Sequence, residues 1–468
     1  MGLTTQSIER LKTYLAQLPP KSQALLMREF ERAIERGEEV AVASLVLEQL
    51  RLIVRASDDN ERPRSEEPSR LVFRPLEAFL VENNAALRPG QIRRASLAPV
   101  WNWLVREAIV SDVREFDETV RALGGVASGP ALDQAVRKIQ IAAAAAIDQI
   151  ASPVGGGADQ RAVSRIGGPN VAEDLFSIAA VLKNREALET FGARIQRNLR
   201  NLAESQLAAV QTALNVPSLQ TPQVLPFALS VLMQRLAAPW QVIRLAIAVA
   251  GSDDEIRVAA TTYGVAVTMV IHDLSHLVAD LRLDMKQGRM DSLSHHLKFI
   301  HDGLRGLRAE LDFRTESVWG KRLSAIRVDI SNTLKSEIES VPGRVRRLLR
   351  QRPDKDIHAG SKLDPTEIDE TAALIDFVAV CRTYASELAI NEVTLRTFSD
   401  LQHYVEAATE SLVDSLRASD LKTRPFRQMQ MEAAVRFCDV LFGHDYASLM
   451  KKAADVAISG ERKSSRAS

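Results

Sequence analysis

This chain has few of the residues that mark a disulfide framework, an aromatic-rich surface or a membrane span. Its 468 residues include only two cysteines, Cys381 and Cys438, which lie in apolar helical patterns and form no CxxC motif. A disulfide scaffold and a zinc ribbon are therefore excluded, and a reducing compartment is favoured. The longest apolar runs, such as AVTMVI, fall far short of the ~20 residues that a membrane helix needs. Because no secretory signal opens the sequence either, we predict a cytoplasmic protein without membrane contact.

The chain also lacks a net charge of either sign. Lys and Arg total 60, and Asp and Glu also total 60. The overall positive field that drives non-specific binding to nucleic acid is therefore missing, which argues against a nucleic-acid partner. Aromatic residues make up only 5% of the sequence, whereas hydrophobic residues make up 46%. This balance, rich in alanine and leucine, is typical of a globular protein built from helices.

Apolar residues recur at helical spacing along most of the chain, and no segment shows the alternation of a β-strand. We therefore predict an all-α, multi-domain helical protein with a central antiparallel, coiled-coil-like helical hairpin. Changes in composition and period divide the chain into seven segments. They are an N-terminal helical module (1–55), a flexible linker (56–70), a helical body (71–251), the long helical hairpin (252–342), a basic segment and loop (343–363), a C-terminal helical bundle (364–458) and a disordered tail (459–468).

The hairpin prediction rests on a regular apolar stripe. Along residues 256–281, and again along 293–311, apolar residues alternate at steps of four and three, as they do in coiled coils. The helix breaker KQGRM at 286–290 separates the two runs, so we expect the two helices to fold back on each other. Since a two-helix hairpin leaves part of its stripe uncovered, we also predict a homo-oligomer, a dimer formed through residues 252–342.

Two helix starts carry capping signals. Ser252, followed three residues later by Glu255, predicts a capping box at the start of the hairpin. Asp364, Pro365 and Glu367 combine an N-cap, a first-turn proline and a capping glutamate, and they predict a helix that begins at Pro365.

Five of the eight histidines lie between residues 272 and 301, within the predicted hairpin. His272 and His276 are one helical turn apart and are predicted on the outward face, where two imidazoles can bind a divalent metal ion. Asp280, His296 and His301 could complete the shell, with His276 expected level with His301 and Asp280 level with His296. The spacing matches neither HExxH nor ExxH, so solvated histidines with local acidic partners are the simpler interpretation. A metal-binding or metal-sensing protein is the first alternative function.

The segment HDLSH, residues 272–276, resembles the phospho-acceptor box of two-component histidine kinases. The resemblance covers these five residues and implies that His272 would accept a phosphoryl group and that Asp273 would orient it. The proline usual shortly after that histidine is absent, and neither an asparagine box nor a glycine-rich ATP lid follows. These departures exclude a kinase with its own ATP site and leave a phosphorelay-type helical bundle as the second alternative.

A short basic segment follows the hairpin. Arginines occupy five positions between residues 344 and 352, and no aromatic residue is interleaved with them. We expect a solvated helix end, with an acidic partner or a phosphate backbone as the alternative contact.

Catalytic and cofactor motifs are missing. The sequence contains no GxSxG elbow and no GxGxxG or Walker loop, and the closest approach of a cysteine to a histidine is Cys438 with His444. The hypothesis that fits best is a non-enzymatic cytoplasmic scaffold or adaptor that acts through an unidentified protein partner and needs no cofactor.

Overall fold

The structure is a computed structural model that describes residues 68–82, 87–123, 129–151, 160–289, 292–358 and 360–464, together with Leu15, Leu26 and Val46. These three single residues are helical, and the rest of the predicted module at 1–55, with residues 56–67 of the predicted linker, lies outside the described residues. The described residues are helical almost throughout, which confirms the all-α prediction.

The chain forms two compact units, which are described separately. Unit 1 comprises Met1–Glu82 and Arg93–Lys183, and unit 2 comprises Asn83–Ile92 and Asn184–Ser468. The main boundary falls inside the predicted helical body at 71–251. A single turn residue, Asn184, separates the helices on either side of it, so no change in composition marks the boundary.

Unit 1 is built from short and medium helices. Its α-helices among the described residues are α1 (Pro68–Phe73), α2 (Leu97–Trp103), α3 (Val110–Ala122), α4 (Pro130–Ala151), α5 (Gln160–Ile166) and α6 (Pro169–Lys183). The two-residue strands β1 (Leu80–Val81) and β2 (Ile92–Arg93) are the only strands in the described part of the chain, and β2 spans the boundary between the units. Helix α4 packs against α6, and Ile139, Ile147 and Ile178 on these helices are almost completely buried. They form the centre of this unit's core.

A buried polar cluster fixes the segment before α2 to helix α6. The Asp174 carboxylate accepts hydrogen bonds from the backbone N–H of Arg93 at 3.3 Å, from Arg93 Nη1 at 3.3 Å and from Ser96 Oγ at 2.6 Å. Arg93 also donates to the carbonyl oxygen of Asn170 at 3.1 Å and pairs with Glu173 at 3.0 Å. Asp174 is 1% exposed, so these donors replace the water that its charge would otherwise need.

Unit 2 contains the longer helices. Its α-helices among the described residues are α7 (Arg185–Arg194), α8 (Glu204–Leu214), α9 (Leu225–Met233), α10 (Ile243–Ala250), α11 (Glu255–Ala259), α12 (Val265–Lys286), α13 (Leu293–Glu310), α14 (Val318–Leu349), α15 (Pro365–Tyr384), α16 (Asn391–Ala418), α17 (Arg424–Phe442) and α18 (His444–Ser464). Helix α18 thus continues past residue 458, where the sequence predicts that the disordered tail begins.

The predicted hairpin corresponds to α12, α13 and most of α14. Helices α12 and α13 pack closely where Leu274 meets Gly303, since a β-carbon at Gly303 would lie 2.6 Å from Leu274 Cδ2. The apolar stripe residues along 293–311 are at most 3% exposed, and α14 packs against α12. The half of the stripe along 293–311 is therefore covered within the chain, whereas Ile256 at the start of the other half is 54% exposed. The coiled-coil character and the dimer through 252–342 stay predictions.

The start of the hairpin differs from the predicted capping box. Asp254 is the N-cap, and its Oδ1 accepts hydrogen bonds from two backbone N–H groups of the first turn at 2.8 and 3.1 Å. Glu255 instead accepts from the backbone N–H of Arg314 at 2.7 Å. The box predicted at Ser252 and Glu255 is therefore wrong, because a second acid in the same turn caps the helix and a distant segment takes Glu255.

Helix α14 extends into the predicted basic segment, and helix α15 begins just after that segment. Helix α14 passes through Pro342 and ends at Leu349, so the start of the predicted basic segment at 343–363 is helical. Val341 and Val345 on either side of the proline are fully buried, and their packing offsets the lost backbone hydrogen bond. Helix α15 begins at Pro365, where Asp364 accepts from the N–H of Thr366 at 2.9 Å, as the sequence predicts.

Candidate functional site

The predicted outward histidine face is half-buried. His272 and His276 lie side by side on α12 with ring centroids 4.6 Å apart, and neither is fully exposed. Asp273, which the resemblance to a phospho-acceptor box implies would orient a phosphoryl group, forms an ion pair with Arg88 at 2.9 Å. The acid beside His272 is thus engaged with an arginine from the 83–92 segment of unit 2.

The Arg88 ion pair belongs to a buried polar cluster. The Arg88 side chain is 9% exposed, and its Nη1 donates to Ser230 Oγ at 3.2 Å and to Met233 Sδ at 3.6 Å. Burial lowers the pKa of Arg88 and raises the pKa of Asp273, and in each case the charge of the ion-pair partner offsets part of the shift. Ser230 also donates to the carbonyl oxygen of Gly90 at 3.2 Å, so the cluster anchors the 87–92 segment to α9 and α12.

A second polar cluster closes the turn between α12 and α13. Asp284 accepts hydrogen bonds from Arg289 and Ser292, and His296 Nδ1 lies 3.5 Å from its Oδ2. His296 therefore contacts Asp284, one turn beyond the Asp280 that the sequence places level with it. Burial alone would raise the pKa of Asp284, but the bonds from Ser292 and Arg289 outweigh burial and hold that pKa below its ordinary value of 3.8.

From the lowered pKa of Asp284 we predict that the free energy of unfolding falls at acid pH. Because the folded-state pKa of Asp284 is lower than the unfolded one, its charged form stabilises the fold above about pH 4, and this contribution is lost as pH falls through the folded pKa. Asp284→Asn should lower the free energy of unfolding at pH 6 and flatten its fall towards pH 3, as measured by urea titration. Asp280→Asn, on the exposed face of the same helix, is the matched control and should behave as wild type. Identical acid profiles for all three proteins would contradict the prediction.

His301, the last of the predicted metal ligands, contacts an acid of its own. His301 Nδ1 lies 3.0 Å from Asp302 Oδ1, and its ring centroid is 5.0 Å from that of Tyr384. Across the described residues, no three His, Cys, Asp or Glu side chains are arranged to hold a metal ion. The structure brings His272 and His276 together but gives His296 and His301 separate acidic partners, and the divalent metal stays a prediction.

The basic segment makes contacts within unit 2. Arg344 and Arg347 pair with Glu370 and Glu367 of α15. The guanidinium of Arg346 lies 5.7 Å from the Tyr404 ring centroid, and that of Arg352 lies 5.1 Å from the Phe426 ring centroid. Four of the five arginines are thus engaged with the chain's own acids and aromatic rings.

Neither cysteine has the surroundings of a nucleophile. Cys381 and Cys438 are both buried, and burial raises the pKa of each thiol above its ordinary value. Cys438 Sγ lies 3.5 Å from Thr409 Oγ1, while His444, its closest histidine in sequence, contacts Asp439 at 3.2 Å. Both cysteines are therefore protonated at neutral pH, and a protonated thiol is a poor nucleophile.

Among the described residues, one helical stretch, Thr262–Lys286, is long and apolar enough to cross a membrane. Its most apolar 18 residues have a mean hydropathy of 1.3, and half of them are buried inside the protein. It also carries the Arg88 ion pair at Asp273. Such burial is typical of a core helix.

An open groove lies between α17 and α18 in unit 2. Its volume is about 670 Å³, and both helices line it over most of their length. Its floor is apolar and is formed by Leu416 of α16, Met431 and Val435 of α17, and Ala447, Ala454 and Ile458 of α18. The two alanines lie two helical turns apart, and their small side chains leave room above α18.

Charged side chains form the rim of this groove. Glu432, Arg436 and Asp439 come from α17, and His444, Lys451 and Asp455 come from α18. All six are exposed. The groove therefore has the apolar floor and polar edges that receive an amphipathic helix in known helix-in-groove complexes.

Comparison with known proteins gives no relative for this site. No protein-family model, curated protein or solved structure matches the chain. The groove residues must therefore be interpreted from their chemistry and geometry alone.

Sequence reasoning does not find the groove. Met431, Val435 and Ile458 follow the apolar spacing of core-facing helix positions, and nothing in the sequence separates them from residues that pack fully inside. Val435 and Ile458 are only half-buried, and that distinction depends on how α17 and α18 pack against each other. A weak signal is the alanine repeat at 447 and 454, which permits close approach of another helix without specifying it.

Proposed function

We propose that this protein is a non-enzymatic cytoplasmic helical adaptor that binds a helical segment of a protein partner in the groove between α17 and α18. The observation that carries the proposal is a groove of about 670 Å³ between two long helices, in which Val435 and Ile458 are half-buried beside closely packed apolar residues. A concave site that is lined by apolar residues and edged by a few polar groups is the usual form of a binding site.

The dimensions of the groove suit one helix. The lining residues of α17 extend from Gln428 to Asp439, which corresponds to roughly 16 Å along a helix axis. A partner helix of about three turns would cover this length. Apolar residues on one face of that helix would replace water over the half-buried Val435 and Ile458, and this burial supplies the favourable free energy of binding.

The packing of α17 against other helices of unit 2 holds the groove in a fixed shape. Helix α17 packs against α16 and α15, and Phe426 and Phe437 on it are almost completely buried. A groove held by packed helices loses little conformational entropy on binding, which favours affinity.

The proposal is tested by placing a charge on the groove floor. Val435→Asp would bury an unpaired carboxylate under the partner helix, at a cost above about 1.4 kcal/mol, so recovery of the partner should fall at least tenfold. Recovery is measured by quantitative mass spectrometry after affinity purification of the full chain from its source cells. Ser448→Trp, which fills the groove from α18, should give the same loss.

Val440→Asp is the matched control, since Val440 is also half-buried on α17 but does not line the groove. Its partner should be retained, and circular dichroism must show the same helix content for all variants. Partners recovered equally with Val435→Asp, Ser448→Trp and wild type would contradict the proposal.

A further inference from the structure

We propose that the helix bound in this groove carries a lysine or arginine beside its apolar stripe, placed over the Glu432 and Asp455 end. This inference rests on the proposed function and names the chemistry of the partner. Three features of the rim support it, namely the position of two carboxylates, their lack of counter-ions and the neutralisation of the neighbouring arginine.

Glu432 and Asp455 face each other across the groove. Helices α17 and α18 are joined by Gly443 alone and line the same groove along their lengths, so residues equally distant from Gly443 lie at the same level. Glu432 and Asp455 are nearly equidistant from it. Two carboxylates thus border one end of the groove from opposite sides.

These two carboxylates make no direct ion pair, although Arg436 and Lys451 lie one helical turn from Glu432 and Asp455 respectively. Neither Glu432 nor Asp455 forms an ion pair with another described residue. Like charges that face each other across an apolar floor create a negative potential there, and a bound cation relieves their repulsion. A long Lys or Arg side chain can lay its methylene groups on the apolar floor and place its charge between the two acids.

The cations of the rim do not cancel this potential. Arg436 pairs with Asp369 of α15, outside the groove, so its charge is already balanced by that carboxylate. Lys451 is then the remaining permanent cation against Glu432, Asp455 and Asp439. The unpaired charge of the rim is negative, and it favours a basic partner helix over an acidic one.

The test uses two synthetic helical peptides as probes. Both are fluorescein-labelled, about four helical turns long, and carry the same leucine stripe. Lysines flank the stripe in one peptide and glutamates flank it in the other. Fluorescence anisotropy with the full chain should show the lysine peptide binding at least tenfold more tightly at low salt. The difference should shrink at about 1 M salt, where the Debye length falls to about 3 Å.

Charge reversal at the groove end makes the test specific. The double variant Glu432→Lys, Asp455→Lys should invert the preference between the two peptides. The matched double reversal Glu406→Lys, Glu410→Lys, at exposed positions of α16 that do not line the groove, should keep the wild-type preference. Ser448→Trp should abolish binding of both peptides.

The possible failures are distinguishable. If both peptides bind equally and Ser448→Trp abolishes both, the basic partner is refuted while the groove remains a helix-binding site. If neither peptide binds at concentrations up to about 1 mM, the groove is not a helix-binding site for these probes. That result counts against both proposals.

Discussion

Asp174→Ala should destabilise unit 1 by about 3–5 kcal/mol, the cost typical of removing one partner from a buried ion pair. Arg93, 8% exposed at its side chain, would lose both hydrogen bonds to this carboxylate, and Ser96 Oγ would lose its acceptor. The loss is expected to be large because Asp174 is 1% exposed, so these donors have little access to solvent once the carboxylate is removed. Since native domains are stable by only about 5–15 kcal/mol, a large share of the unit's stability would be lost.

The neighbouring residue provides a control for this prediction. Glu173 also pairs with Arg93, but its side chain is 66% exposed. Glu173→Ala should therefore cost no more than about 1 kcal/mol, as for surface ion pairs. Hydrogen-exchange mass spectrometry on the full chain, at increasing urea concentration, reports unfolding of residues 129–151 and 169–183 directly. Equal destabilisation by both substitutions would contradict the burial argument.

Gln430→Leu should destabilise the C-terminal helices by about 2–3 kcal/mol, because it leaves buried carbonyl groups without donors. Gln430 is 1% exposed, and its Nε2 donates to the carbonyl oxygens of Leu348 at 3.1 Å and Arg350 at 2.9 Å. These carbonyls lie at the C-terminal end of α14, where the helix itself supplies no N–H donors. Arg427 Nη1 also donates to the Gln430 side chain at 3.3 Å, so the substitution removes a third bond.

The same substitution connects stability to the groove. Gln430 fixes α17 against α14, while Met431 on the neighbouring face forms part of the groove floor. Gln428→Leu, at a half-buried position on the same helix, is the matched control and should change the free energy of unfolding by less than about 0.5 kcal/mol. Guanidinium unfolding followed by circular dichroism measures both. A loss below about 1 kcal/mol for Gln430→Leu would show that water, rather than this side chain, satisfies the carbonyls.

Local signals in the sequence predict local structure well. The start of α15 follows from Asp364 and Pro365 because an N-cap acid and a first-turn proline act within a few residues. The stripe along 293–311 is buried as its helical spacing indicates. The prediction fails where two local candidates compete, as at Asp254, which caps α11 in place of the predicted Ser252 box.

Tertiary features leave no comparable trace in the sequence. The boundary between the units at Lys183 and Asn184 lacks a glycine-rich or polar linker. The contact of His296 with Asp284 depends on the path of the turn between α12 and α13. A register that pairs residues by their distance from the turn takes no account of that path. The groove depends on how α17 and α18 pack against each other, and periodicity along either helix cannot report the distance between them.

The central claim, that the groove between α17 and α18 binds a partner helix, is tested most directly by site-specific photo-crosslinking in the source cells. A photoreactive phenylalanine analogue placed at Lys451, an exposed residue of the rim, borders the groove without filling it, whereas the same analogue at Val440 lies outside the groove. We predict that the probe at position 451 crosslinks to one contiguous segment of a single partner, that this segment has helical apolar periodicity, and that Val435→Asp abolishes the crosslink. Crosslinks spread over many proteins to the same extent from both positions would contradict it.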